Sequence, residues 1–128
     1  MSDIRRLTRD DPEFYPVMGP FLASRDVVRH VGGSIWDDPG KAWHVAVDGR
    51  DVAGFIATRT ARGLVVAESC YAVDGAVMSD LIAAAIGAAA PSPLVTTVLR
   101  ENSGVYLAAG FAQAGETTRF LKLLWSPR

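Results

Sequence analysis

The spacing of apolar and polar positions changes several times along the chain, and each change marks an element. Ile4 to Thr8 reads as a short strand, polar enough for a sheet edge. Asp10-Asp11-Pro12 then has the chemistry of a helix start, with Asp as N-cap and Pro in the first turn. Phe14, Val17, Met18, Phe21 and Leu22 recur at helical spacing, but Pro16 and Pro20 predict two short pieces in place of one rod. A second stripe (Phe21, Ser24, Val28, Val31) carries helix to His30, and Gly32-Gly33 ends it.

After a loop from Ser34 to Gly40, the period becomes two. Trp43, Val45 and Val47 alternate with His44, Ala46 and Asp48, the mark of a strand. Asp48-Gly49 turns the chain into a strand from Asp51 to Thr60, and Ala61-Arg62-Gly63 turns it again into Leu64 to Val73. These three strands predict an antiparallel meander. Asp74-Gly75 opens a helix with Met78, Leu81, Ile82, Ala85 and Ile86 on one face, and Pro91-Ser92-Pro93 stops it. Leu94 to Leu99 is a continuous apolar, β-branched run, as in a strand covered on both faces. A short helix from Ser103 to Ala109 follows. Phe111-Ala112-Gln113 and Thr117 to Trp125 complete the pattern as two strands turning at Ala114-Gly115-Glu116.

A helix between two apolar strands predicts a parallel pair inside an otherwise antiparallel sheet. The 128 residues suit one domain, 1–128, with a core of useful size. Nearly half the residues are hydrophobic (49%), which excludes intrinsic disorder. Thirteen basic and fourteen acidic side chains leave a formal charge of −1, which argues against tight nucleic-acid binding. The single cysteine, Cys70, has no internal partner and fits a reducing cytoplasm, where it reads as packing. Met1-Ser2-Asp3-Ile4-Arg5 lacks the apolar stretch of a signal peptide, and Leu81 to Pro91 is too short to span a bilayer.

Few residues suggest chemistry by themselves. His30 and His44 have no short ligand spacing, so the expectation is no metal site. No nucleophile-elbow string supports a Ser-His-Asp arrangement, and no Lys follows Gly32-Gly33 as a phosphate loop needs. Glu68 interrupts an apolar strand, either as a working carboxylate or as an ion-pair partner of Arg59 or Arg62. Trp36 and Trp43 flank a loop, either as walls of a pocket or as caps of the core.

The C-terminal order is more specific. Strand Leu94 to Leu99 runs into Asn102, a short helix carrying Tyr106, then Gly110-Phe111 and another strand. This resembles the GNAT superfamily of N-acetyltransferases, and the element order extends the resemblance over nearly the whole chain. It implies an α/β (α+β) fold: a mixed, mostly antiparallel sheet with one central parallel, splayed strand pair, flanked by about four helices. The implied activity is acyl-coenzyme A-dependent N-acylation, acetyl transfer by direct attack of a primary amine on a small molecule or peptide.

By that resemblance the pantetheine arm of acetyl-coenzyme A would lie between Leu64 to Val73 and Leu94 to Leu99. Ala72, Val73, Gly75, Ala76 and Asn102 would meet the cofactor. Tyr106, four residues before Gly110, would protonate the departing thiolate, and Glu68 would deprotonate the ammonium. Trp36 would line the acceptor side. Asn102 has a second reading as N-cap of the short helix, and Tyr106 one as a core aromatic.

The chain departs from the family at the phosphate-holding string, an Arg or Gln followed by Gly-x-Gly or Gly-x-Ala. Val73 is followed only by Asp74-Gly75-Ala76-Val77-Met78-Ser79, with an acid where a pyrophosphate would sit. The Asn102 to Tyr106 interval is also about one helical turn shorter than the family's. Two alternatives therefore stand beside the enzyme: a GNAT-fold binding or accessory protein without catalysis, and an enzyme modifying another acceptor such as a nucleic-acid base. The apolar run Phe120 to Trp125 offers pairing across a homodimer.

Overall fold

The β-branched and aromatic runs pair into one seven-stranded sheet. The computed structural model describes residues 3–49 and 51–127. Met1 and Ser2, where the reading for a leader begins, lie outside them, as do Arg50 and Arg128. In chain order the elements are β1 (Asp3–Leu7), α1 (Phe14–Leu22), α2 (Arg25–Val31), β2 (Ala42–Asp48), β3 (Asp51–Ala61), β4 (Leu64–Ala72), α3 (Gly75–Ala89), β5 (Leu94–Leu99), α4 (Gly104–Ala108), β6 (Ala112–Glu116) and β7 (Phe120–Trp125). A 3-10 turn, Arg100–Asn102, joins β5 to α4.

The strand order is β1-β2-β3-β4-β5-β7-β6. Every neighbouring pair is antiparallel except β4 and β5, which α3 connects as a parallel crossover. Alternation along β2 sends its side chains to two cores. Trp43 and Val45 join Phe14, Met18 and Phe55 under α1 and α2. Ala46 joins Ile56, Leu81, Ile82, Leu94 and Leu123 on the opposite face, under α3. Fully burying side chains such as Leu81 and Ile82 contributes about 2 kcal/mol each. Among the described residues no helix is long and apolar enough to cross a membrane.

The meander β2-β3-β4, the polar edge strand β1, the crossover and the ending of α2 at Gly32 (φ 96°) match the sequence pattern. Four details differ. Asp10-Asp11-Pro12 forms a turn in place of a helix start, because the Asp11 carboxylate accepts from Thr8 N at 2.7 Å; α1 begins only at Phe14. Pro16 and Pro20 do not interrupt that helix. Pro16 lies in its first turn, and Pro20, exposed near its end, removes only one hydrogen bond, so the short helix tolerates both. The break falls at Ala23-Ser24, where Ser24 Oγ accepts from Val27 N as the cap of α2.

The last hairpin is also shifted. β6 runs through Ala114-Gly115-Glu116, absorbing an irregularity between Gln113 and Gly115, and the chain turns at 117–119. Thr117 N donates to Phe120 O and Phe120 N to Thr117 Oγ1, which closes the turn. Finally, β7 has β5 on one side and β6 on the other, so the Phe120 to Trp125 run has no free edge for a second copy.

Candidate active site

β4 and β5 pair over three positions only: Val65 with Leu94, Val66 with Val95, and Ala67 with Thr96. The Thr96 hydroxyl donates to Ala67 O at 2.9 Å and fastens the last rung. Beyond it the strands part. The β4 segment from Glu68 to Ala72 stays bonded to β3 but has no strand on its other side. A register shift where Ala57 meets Ser69 and Thr58 meets Ala67 leaves Glu68 as the extra residue of a β-bulge at the start of this opening.

At the mouth of the opening lies a cavity of about 330 Å³. Ala72, Val73, Gly75 and Asn102 line it together, four of the five positions expected to meet a cofactor; Ala76 is not among its lining residues. Sequence reasoning missed His30 and Glu101, which also line it. His30 gave no signal beyond its place at the end of a helix. Asn102 is not the cap of α4, a place taken by Ser103; its amide donates to His30 O at 2.9 Å and ties the β5–α4 connection to α2.

Asp74 has a definite task. Its carboxylate accepts from Val77 N at 2.9 Å and caps α3. That bond occupies one of the free N–H groups with which a helix start holds a phosphate, and it adds a negative charge to the cavity wall. The start of α3 is therefore poorly suited to a pyrophosphate.

Tyr106 sits behind the opening and is only 2% exposed, its ring edge-on to Phe111 at 5.4 Å. Burial pushes its phenol well up, reinforced by the neighbouring Cys70. Burial likewise pushes the Cys70 thiol up to about 12, although its contact with Tyr106 works the other way. Both groups are protonated at neutral pH, so Cys70 is packing and no nucleophile.

Glu68 lies on the other side of β4. Its carboxylate bonds Lys41 Nζ at 2.7 Å and Arg59 Nε, but not Arg62. Partial burial raises the carboxyl, but hydrogen bonds and charges from Lys41 and Arg59 outweigh it and hold it below the ordinary range. Lys41 is the main functional candidate that sequence reasoning missed. Its side chain is 2% exposed, and it also bonds Trp36 O at 2.7 Å and Asp38 at 3.4 Å. The available signal was a lysine standing directly before an apolar strand.

Lys41 thus pins the loop between α2 and β2 to the bulge. Arg9 Nη1 donates to Asp37 O at 3.1 Å, and the Tyr15 hydroxyl bonds the Asp37 carboxylate, so the loop is held from α1 as well. Trp36 rides on this loop with 63% of its surface exposed, whereas Trp43 is fully buried against Phe14 and Phe55. Tyr106 and Glu68 therefore flank β4 from opposite faces. Among the described residues no group of His, Cys, Asp and Glu is arranged to hold a metal.

A seven-stranded sheet with one parallel pair that opens after three rungs has close counterparts among solved structures. An acyl-CoA N-acyltransferase from Pseudomonas aeruginosa superposes with a TM-score of 0.75 at 13% identity, over 98% of this chain and 100% of that one. This is the GNAT fold. ElaA of Escherichia coli superposes similarly (TM-score 0.72, 10% identity, covering 97% of this chain and 99% of that one). PseH of Campylobacter jejuni, an N-acetyltransferase solved in complex with acetyl coenzyme A, aligns over 100% of both chains (TM-score 0.62, 13% identity). No protein-family model matches the chain, and no curated protein matches it in sequence. The GNAT assignment thus rests on the fold alone.

Proposed function

We propose that the chain is an acyl-coenzyme A-dependent N-acyltransferase that passes an acyl group, acetyl in the simplest case, directly to a primary amine on a small molecule or peptide. The observation that carries the reading is the parting of β4 and β5 beyond Ala67 and Thr96, which leaves a strand edge for the amides of a pantetheine arm. The PseH complex with acetyl coenzyme A supports the choice of donor.

In this reading the amine nitrogen attacks the thioester carbonyl carbon, and the C–S bond breaks as the amide forms. Backbone N–H groups of β4 stabilise the oxyanion. Tyr106, kept protonated by burial, gives its proton to the departing thiolate and regains one from solvent or from the amine. Glu68, ionised beside Lys41 and Arg59, draws the proton from the ammonium through water. The acceptor enters past Trp36, on the Glu68 side of β4.

A second reading, a GNAT-fold binding module without catalysis, is favoured by one observation: Asp74 caps α3 where a pyrophosphate would bind. Thermal unfolding with acetyl coenzyme A separates the two, since a ligand of the native state raises Tm by mass action. The enzyme reading expects a saturable rise, and Tyr106→Phe then cuts turnover with affinity kept. No rise at millimolar ligand leaves the binding module.

A further inference from the structure

A second, smaller cavity of about 130 Å³ opens where β1, β2 and β3 meet the end of α3, and Arg6, Ala42, His44, Thr58, Thr60 and Ala89 line it. None of these residues lines the cavity at the mouth of the β4–β5 opening. The register explains the grouping. Arg6 stands opposite His44 and Ala42 opposite Thr58, so these four share one face of the sheet, and Thr60 follows two positions on.

His44 is only 5% exposed, and its Nε2 has no hydrogen-bond partner among the described residues. A buried imidazole nitrogen left in this way calls for a partner, because native structures pair almost all such groups. The hydroxyl-bearing Thr58 beside it is also buried. Arg6 is exposed at the rim and has no ion-pair partner among the described residues. No acidic side chain lines the cavity.

We propose that this cavity is a binding site for a small oxyanion, a carboxylate or a phosphate group, separate from the acyl cleft. His44 in its Nε2–H tautomer, the Thr58 and Thr60 hydroxyls and the Arg6 guanidinium all donate hydrogen bonds, so the complementary ligand is acceptor-rich. Arg6 supplies the opposite charge and excludes a cation. Burial first, and the Arg6 charge second, push the imidazole down, so the ring donates as a neutral group. The carboxyl end of α3 at Ala88 and Ala89 opposes a negative ligand. Arg59 also lines the cavity but is paired with Glu68, which leaves Arg6 as the main source of attraction.

The test follows the His44 ring signals by NMR while inorganic phosphate and, separately, acetate are titrated at constant ionic strength held with chloride. A saturable His44 shift is expected, and the anion with the lower midpoint names the ligand class. Arg6→Gln, at an exposed edge where the fold does not depend on it, weakens the response about tenfold, as expected for loss of a charge-assisted hydrogen bond. Thr58→Ser retains binding. An unsaturable His44 response to both anions overturns the site, and so does an Arg6→Gln midpoint equal to that of the parent chain.

Discussion

Replacing Lys41 by Met tests whether the buried charge at the bulge holds the candidate active site together. Methionine keeps the length and apolar bulk of the side chain but removes the partner of Glu68 at 2.7 Å, of Trp36 O at 2.7 Å and of Asp38 at 3.4 Å. Removing one member of a fully buried ion pair costs about 3–5 kcal/mol. Glu68 keeps Arg59 and its side chain is 26% exposed, which lowers the expected loss to about 2 kcal/mol. For a chain of this length that is a fall in Tm of about 8 °C.

The pH dependence gives a second reading of the same contact. The Glu68 carboxyl is held below its ordinary value in the folded state, so its stabilising effect is complete above the ordinary carboxylate range. It is lost as the pH falls through the lower, folded value. Without Lys41 burial weighs more, the folded value rises, and the acid limb of the stability curve flattens. Differential scanning calorimetry of Lys41→Met, Glu68→Gln and the double variant between acid and neutral pH measures both effects. The double variant should recover much of the Lys41→Met loss, because no charge is then stranded. An unchanged Tm for Lys41→Met, or losses that simply add, would refute the argument.

Three further outcomes are expected. Asp74→Ala removes the cap of α3 and costs about 1 kcal/mol, yet it frees Val77 N and removes a charge from the cleft; calorimetry should show lower stability while acetyl coenzyme A binds more tightly. Gly54→Ala places a Cβ against Tyr71 O and 2.8 Å from Ala72 Cα, forcing β3 from β4 beside the cleft, and a loss of about 3 kcal/mol should appear on denaturant unfolding. Cys70, with its thiol pushed up to about 12, should resist iodoacetamide at neutral pH until the chain unfolds, as timed alkylation and mass spectrometry will show.

The fold was legible wherever local pattern and burial agree. Leu94 to Leu99 reads as a strand covered on both faces; it is a strand, but Val95 is only half-buried and Thr97 is exposed. The stripe through Leu81 and Ile82 fixes the inner face of α3. Reading failed where tertiary context overrides a local signal. Pro20 looks like a breaker, but, exposed near the end of α1, it removes only one hydrogen bond, and the Ser24 cap decides where the helix divides. Gly115 looks like a turn residue but serves an irregularity inside β6. Phe120 to Trp125 looks like an interface until the strand order shows both its edges taken.

The candidate site was half visible for the same reason. Ala72, Val73, Gly75 and Asn102 converge as their order in the chain suggests. Lys41 was missed because its place before an apolar strand hints at burial but does not say which partner it meets, here a carboxylate on β4. Asn102 has the identity of a helix cap, yet its partner is His30 O, seventy-two positions away. Asp74 could be seen as an obstacle to phosphate, but only the structure shows that it already spends its charge on α3.

The central claim is that the open edge of β4 receives an acyl thioester. Backbone amide NMR during titration with acetyl coenzyme A tests it most directly. The account predicts saturable shifts at Glu68 to Ala72 and at Asn102 to Tyr106, with the edge strand β6 unmoved. Silence at Glu68 to Ala72, or shifts confined to residues away from the β4–β5 opening, would contradict it.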